Sequence, residues 1–480
     1  MPTEDEIRGT EVEMDEGSSQ VSIIVSGGVV MTMNKRGEVF LDGAVAIAGT
    51  DVVAVGKRSV IEEAYRADKV IDASDCIVIP GLINTHTHTF QNLYKGLGDD
   101  MPVLEWVAEM IFPLSENLRS KHAYVGAQLS CLEMIKGGVT CFSDSFYIHR
   151  DTRSIYEVAR AVEGSGMRAV LARACVDQGV PDRFQESPAV AVERTEAAVK
   201  DVNGRGDGRV QVCPEALFTL FSSPELIGGL KDISKRYGVQ FHMHAGESAA
   251  EAQEIRRQTG KTIFSYLDSI DALGSEVLLA HAVWSTESDM KIMSERLTSV
   301  SHNPVSNQYL ASGVCPVPRM REFGINVGLG TDGAASNNTQ DMFEVMKSAA
   351  LLQKVTHLDA RALVSEDVVS MATRGGARAL GLEGQIGSLE PGKRADVVVV
   401  RLDEAHSVPA LKPVSTLVYC SRCTDVSTVL IDGRIVMEDR KMKLVDEDEI
   451  LARGRETAEQ LVHAAGKTEL LETGAFTYLA

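Results

Sequence analysis

Basic charge is what this sequence most lacks. Its 480 residues carry 48 Lys and Arg against 68 Asp and Glu, a formal net charge of −20. A surface of that sign repels phosphate backbones and anionic headgroups, so neither nucleic acid nor a membrane surface is expected as the main partner. Long apolar runs are missing too: none approaches the ~18 residues of a membrane span, and no basic start leads into an apolar stretch as in a secretory signal. A cytoplasmic location is expected. The eight cysteines, at 76, 131, 141, 175, 213, 315, 420 and 423, are scattered, which excludes a dense disulfide scaffold. Only Cys420 and Cys423 have metal-like spacing. One such pair falls short of the ligand set of a structural zinc site, so both are expected to be ordinary thiols. Internal repeats and low-complexity segments are absent.

What is present suits a soluble globular protein: 44% of the residues are apolar and 24% charged. The first twenty residues hold seven acidic side chains and one Arg, and 1–20 is expected to be a disordered acidic tail. From 21 to 80, β-branched runs such as "VSIIVSGGVVMTM" and "GAVAIAG" are cut by Gly-containing turns, and the same texture returns in "ADVVVVRLD" (395–403) and "VSTVLIDGRIVMED" (426–439). Neither segment closes a core alone, so 21–80 and 385–445 are expected to form one composite β-sandwich. Between them, over 81–384, short apolar runs alternate with helix-length amphipathic stretches. Counting "CIVIPGLINTHTH" as the first strand gives eight, the number that closes a parallel (β/α)8 TIM barrel. Residues 446–480 read as a terminal helix with a short tail. The expected fold class is therefore α/β, a barrel with a small β-sandwich domain.

Barrel enzymes place their chemistry at the carboxyl ends of the strands. There are only 11 histidines, yet His86 and His88 stand one residue apart at such an end, and residues i and i+2 of a strand point the same way. Alone, this pair is also what a polar strand end facing solvent would look like. His244, His281 and Asp332 occupy further strand ends from which an inward side chain would meet the pair. Three His and one carboxylate suit a single divalent cation with room for water, which marks a hydrolytic rather than a structural centre.

The segments "PGLINTHTH" (80–88), "HAGE" (244–247), "AH" (280–281), "SHNPVSN" (301–307), "GTDGAASNN" (330–338) and "GSLEPGKRADVVVV" (387–400) resemble the amidohydrolase superfamily across residues 21–445. The nearest subgroup holds the methylthioadenosine and S-adenosylhomocysteine deaminases together with s-triazine hydrolases such as atrazine chlorohydrolase. The resemblance implies that His86, His88, His244 and Asp332 bind one divalent metal, Zn²⁺ or Fe²⁺. Binuclear relatives use a Lys at the end of strand four, which "VQVCPEALF" does not offer. Glu247, His281 and Asp332 are the implied catalytic residues. Such an ion would acidify a water toward ~7 for attack on a ring carbon, and Asp332 would accept its proton and later deliver it to the leaving group. On this resemblance Glu247 would protonate the neighbouring ring nitrogen, and His281 would orient the hydroxide or stabilise developing charge. A homo-oligomer, dimer or tetramer, and a small heterocyclic substrate are implied as well. Simpler readings stand beside these: Glu247 as an acidic residue in a helix's first turn, and His281 as a satisfied core histidine. His242 is read as packing or support, and His122, His149, His357, His406 and His463 as solvated.

For the substrate the signals divide. The carboxylate with which nucleoside deaminases of this type grip the ribose hydroxyls is Ser115 here, with Glu116 one residue late, and their His after the strand-four Pro is Glu215. Arg173 matches, and Arg183 is a further candidate. Gln91 resembles the chlorohydrolase "HTHxxQ" pattern, whereas Ser336 in "TDGAASNN" resembles the nucleoside deaminases. Asn303 is counted with the substrate contacts. Trp106 and Trp284 are read either as a stacking surface for a flat ring or as core. Glu215 either accepts hydrogen bonds from the substrate ring or is the buried partner of Arg173. The expected activity is hydrolytic deamination of an amino-substituted nitrogen heterocycle of the adenosine-derivative type. The alternatives are displacement of chloride or an alkylamine from a triazine, and a non-catalytic scaffold that has kept the fold.

Overall fold

The structure, a computed structural model, describes residues 19–147 and 149–471. Strands β1 (Ser19–Met31), β2 (Val39–Ala48), β3 (Asp51–Lys57), β4 (Tyr65–Asp72) and β5 (Cys76–Pro80) come first. They are followed by β6 (Leu82–Thr87), β7 (Val139–Phe146), β8 (Arg168–Cys175), β9 (Val210–Phe218), β10 (Phe241–Ala245), β11 (Val277–His281), β12 (Ser299–His302) and β13 (Val327–Leu329). β14 (Val397–Arg401), β15 (Val426–Ile431), β16 (Arg434–Glu438) and β17 (Lys441–Met442) complete the set.

β6 to β13 form an eight-stranded sheet in sequence order, each strand parallel to its neighbour. β7 and β8 are buried along their whole length, the pattern of parallel strands covered on both faces. The covering helices show why: in Ser154–Ser165 the side chains of Ile155, Val158, Ala159 and Val162 recur at three- and four-residue spacing and are buried. The barrel closes at its mouth, where the Asp332 N–H donates to the His86 carbonyl at 2.9 Å and the Thr331 N–H to Asn84 Oδ1 at 3.0 Å.

Strands from the two ends of the chain share a mixed nine-stranded sheet in the order β17-β16-β15-β14-β5-β1-β2-β3, with β4 beside β1. The link between its halves is β5 against β14, antiparallel, with Val78 opposite Val399. Alternation along β1 and β2 divides the side chains between two faces. Ile23, Val25, Val45 and Ile47 join Val78, Val397, Val399 and Leu430 in one core, while Ile24, Ala44 and Ala46 pack with Ile61 of the short helix Arg58–Ala64. Arg168, buried at the start of β8, pairs with Asp396 and Asp432 and so ties the barrel to this second sheet.

Two expectations are corrected. "CIVIPGLINTHTH" is not one strand: β5 belongs to the mixed sheet and β6 to the barrel. Gly81 sits between them because a Cβ there would lie 1.9 Å from Thr140 Oγ1, so only glycine lets the chain cross so close to β7. The acidic tail does not extend to residue 20, since Ser19 and Gln20 already pair in β1, and residues 1–18 lie outside the described residues. The terminal helix runs Glu447–Ala464 with Asp446 capping Glu449 N, followed by a short turn, and 472–480 also lie outside. No described helix is long and apolar enough to cross a membrane.

Candidate active site

The mouth of the barrel gathers the expected ligands around one point. His88 Nε2 lies 3.2 Å and His86 Nε2 3.4 Å from the same Asp332 oxygen, Oδ1, and all three side chains are buried. The outer nitrogens of the rings are already engaged. His88 Nδ1 donates to the Ser145 carbonyl at 2.6 Å and His244 Nδ1 to the Leu217 carbonyl at 2.9 Å. His86 Nδ1 is 3.2 Å from His242 Nε2, and His242 Nδ1 is 3.1 Å from Glu215 Oε1. With the proton of His242 turned toward that carboxylate, its Nε2 accepts from His86. Each ligand ring is thus held as the tautomer whose Nε2 is bare, the arrangement that metal-binding imidazoles require.

This supplies a fit test for the metal. Bare nitrogens of His86 and His88 each lie within 3.4 Å of one carboxylate oxygen, and His86 Nε2 has no hydrogen-bond partner. Three lone pairs in such a nest repel unless a cation sits among them. Ligand atoms of His86, His88 and Asp332, and of His86, His244 and His281, lie close enough to share an ion. The residues fit a divalent metal with mixed imidazole and carboxylate coordination.

His281 is held differently. The amides of Asn307 (2.9 Å) and Asn303 (3.4 Å) donate to its Nδ1, which puts the ring proton on Nε2. That nitrogen faces Asp332 Oδ2 at 3.8 Å and Glu247 Oε2 at 4.0 Å. Burial lowers the His281 pKa to about 3, so the ring is a neutral donor. Burial, then the Asp332 and Glu251 charges, raise the Glu247 carboxyl well above its usual range, which keeps it protonated. For Asp332 burial also works upward, but the imidazoles of His86, His88 and His281 ranged around it outweigh that and hold the acid well below the ordinary carboxylate range. Asp332 further accepts from Ser306 Oγ at 2.7 Å and from Gly333 N at 2.7 Å. Both His281 and Asp332 have positive φ, +76° and +62°, a conformation that costs a non-glycine residue ~1–3 kcal/mol and is tolerated where side-chain aim matters more than backbone comfort.

A cavity of about 390 Å³ opens from this cluster. His88, His244, Glu247, His281 and Asp332 form its floor, and its walls are apolar: Val103, Trp106, Val107, Ile111 and Phe112 on one side, Leu217, Phe218, Leu220 and Phe221 on the other. Of the residues expected to contact substrate, Trp106 and Ser336 line it. Trp106 also ties its wall to the Asp332 loop by donating to the Ala335 carbonyl at 3.1 Å. The others do not reach the cavity. Gln91 is buried, donates to the Tyr147 hydroxyl at 2.8 Å and packs so tightly on Gly333 that a Cβ there would meet its Oε1 at 1.8 Å. Ser115 is buried against Tyr94, and Glu116 pairs outward with Arg183 at 3.0 Å. Asn303 supports His281. Arg173 pairs with Glu186 at 2.8 Å, not with Glu215, whose partners are Ser145, His242 and His244. Trp284 is exposed, with its indole on the Ser312 carbonyl. His149 is not solvated: both ring nitrogens are buried without a partner among the described residues.

Some of the neighbourhood gives only a weak sequence signal. Tyr147 and Glu251 line the cavity, and Glu251 Oε2 accepts the Glu247 N–H at 2.9 Å. The Glu247-Ser248-x-x-Glu251 spacing, a helix-capping pattern, was the available clue to Glu251. The wall from Phe218 to Phe221 could have been sought as an aromatic run just past a strand end.

A family model described as the amidohydrolase family matches residues 77–436. This chain belongs to the amidohydrolase family. Among relatives of this amidohydrolase, a 5-methylthioadenosine/S-adenosylhomocysteine deaminase of Pelotomaculum thermopropionicum is 39% identical over 444 residues, 92% of this chain and 99% of the relative. A 5′-deoxyadenosine deaminase of Methanosphaera stadtmanae is 38% identical, covering 82% of this chain and 90% of the relative. Among solved structures, an adenosine deaminase of Xanthomonas campestris with bound zinc superposes with a TM-score of 0.87 at 27% identity, over 93% of this amidohydrolase and 100% of that chain.

Proposed function

We propose that this amidohydrolase is a metal-dependent deaminase of an adenosine derivative carrying an apolar 5′ group, with zinc as the ion. One observation carries the reading: a buried carboxyl, Glu247, whose pKa burial raises, shares the floor of a cavity with apolar walls with His88, His244 and Asp332, and His86 lies directly behind them. The named relatives support the substrate class. The wide apolar wall suits a flat ring and a 5′-deoxy or methylthio substituent better than a charged extension.

Held by those four residues, a divalent ion would supply Lewis-acid chemistry, lowering the pKa of water toward ~7. The chain's own groups do the rest. Glu247, neutral before reaction, donates its proton to the ring nitrogen beside the carbon under attack and so neutralises the charge that develops there. His281, its Nε2–H aimed between Glu247 and Asp332, orients the incoming oxygen. Asp332 stays ionised and can take up the proton lost by water. It passes that proton to the far more basic amine as the carbon–nitrogen bond breaks, and Glu247 regains its own from the hydroxyl added to the ring carbon, which becomes the carbonyl. Trp106, Phe218 and Phe221 exclude bulk water around these transfers. A cytoplasmic location and a homo-oligomer belong to the same reading. Ammonia release from 5′-methylthioadenosine, 5′-deoxyadenosine and adenosine by the zinc-loaded protein tests it. With zinc near ~1 per chain, release from none of them, or only displacement products from halogenated or alkylamino triazines, would sink it.

A further inference from the structure

The outer nitrogens of the three histidine ligands do not end on three unrelated partners. They lead back to one buried carboxylate oxygen, Glu215 Oε1. His244 Nδ1 approaches it directly at 3.2 Å. His86 reaches it through His242, by steps of 3.2 and 3.1 Å. His88 reaches it through Ser145, whose carbonyl accepts from the ring at 2.6 Å and whose hydroxyl donates to Oε1 at 2.8 Å. Glu215, His242 and Ser145 are all fully buried. Strand register makes this possible: Glu215 on β9 is the direct neighbour of His242 on β10, and β7, carrying Ser145, lies two strands away on the other side of β8.

We propose that Glu215 is the positioning residue of the metal centre, a single carboxylate that fixes the tautomer and ring orientation of His86, His88 and His244 together. It touches neither substrate nor the ion's own ligand positions. Its contribution is aim and charge. Glu215 Oε1 faces His242 Nδ1, which turns His242 Nε2 to accept from His86. It lies beside His244 Nδ1, whose proton is on the Leu217 carbonyl, and holds by its hydroxyl the Ser145 whose carbonyl takes the His88 proton. Each inward nitrogen is thereby left bare. The second negative charge, added to that of Asp332, balances a divalent cation inside a buried site where an uncompensated charge is expensive. The proposal rests on the metal-site reading above, and its test separates the two.

The protein is loaded with Co²⁺ or Zn²⁺, and metal affinity is measured by competition with a chromogenic chelator, with the Co²⁺ visible spectrum recorded alongside. Glu215→Gln keeps an acceptor oxygen but removes the charge. It should weaken affinity roughly 10- to 100-fold and shift the Co²⁺ bands. Asp396→Asn, which alters a buried carboxylate of the sheet junction, should lower stability and leave both readouts unchanged. His242→Gln should weaken affinity in the same direction, and the double variant should lose less than the product of the two single losses, because both act in one chain of contacts. Wild-type affinity and an unshifted spectrum in Glu215→Gln and His242→Gln would overturn the role of Glu215 while leaving the metal site standing. Wild-type protein that takes up no metal would overturn both. Should Glu215→Gln fail to fold, His242→Gln and Ser145→Ala decide the matter, and undiminished affinity in both refutes the proposal.

Discussion

Glu247→Gln removes one proton from the site and almost nothing else. The amide has the shape of the protonated acid, so no cavity opens, and the backbone N–H remains on Glu251 Oε2 at 2.9 Å. What is lost is an acid, buried and 4.0 Å from His281 Nε2, able to protonate a ring nitrogen as charge builds. A positioned general acid is worth roughly 100- to 10,000-fold, and at ~1.4 kcal/mol per decade that is about 3–5.5 kcal/mol of barrier. The loss should fall on kcat, with KM close to wild type, because a carboxamide still fills the space and contacts the ring. pH gives a second signature. Wild-type turnover should fall on the alkaline side as Glu247 ionises, and the Gln variant should lack that limb. Stability should move the other way: an acid raised above its ordinary 4.5 in the folded state opposes folding once pH exceeds 4.5. The variant should therefore unfold at the same temperature as wild type near pH 4 and at a higher one at pH 8. Ammonia release from 5′-deoxyadenosine, differential scanning calorimetry at the two pH values and metal analysis together read all three. A fully metallated variant with kcat within about threefold of wild type, far short of what a general acid contributes, would refute the assignment of Glu247 as the acid.

Stripping the ion with a chelator should abolish turnover and lower the melting temperature, and zinc should restore both. An ion at 1,000 times its dissociation constant contributes ~4 kcal/mol of stability, readable by calorimetry with and without chelator. Phe221→Ala should raise KM for 5′-methylthioadenosine by roughly tenfold, within the ~1–3 kcal/mol of a hydrophobic pocket contact, and should leave kcat nearly unchanged in steady-state assays. Arg168→Met leaves Asp396 and Asp432 buried without their main cation and should cost ~3–5 kcal/mol in urea unfolding, while kcat of the folded fraction stays at the wild-type value.

The sequence made His86, His88, His244, His281 and Asp332 visible because each stands at the end of an apolar run, and strand alternation says which way such a side chain points. Alternation does not say what waits there. Glu215 and Arg173 are both counted from the sequence as substrate contacts, or as partners of one another. Their actual partners, His242 and His244 for one and Glu186 for the other, come from the next strand and from a loop that no local pattern connects to them. Ser115 and Gln91 failed to reach the cavity for a similar reason: whether a helix turns a residue toward the cavity or toward Tyr94 and Tyr147 is decided by packing across elements. The barrel's strand count was legible, yet the first strand was read through Gly81. An apolar run looks continuous whether it serves one sheet or two, and only the approach of Thr140 reveals the break.

The pairing of β5 with β14 sets a condition on biosynthesis. β5 leads directly into the strand that carries His86, and its antiparallel neighbour begins at Val397, more than three hundred residues later. Until that neighbour leaves the ribosome, one edge of β5 offers unpaired backbone groups to any other strand. Contacts so distant in sequence form slowly. The nascent chain must therefore carry its metal-binding strand, without its final anchor, through about two-thirds of translation, and that interval is when aggregation threatens it most.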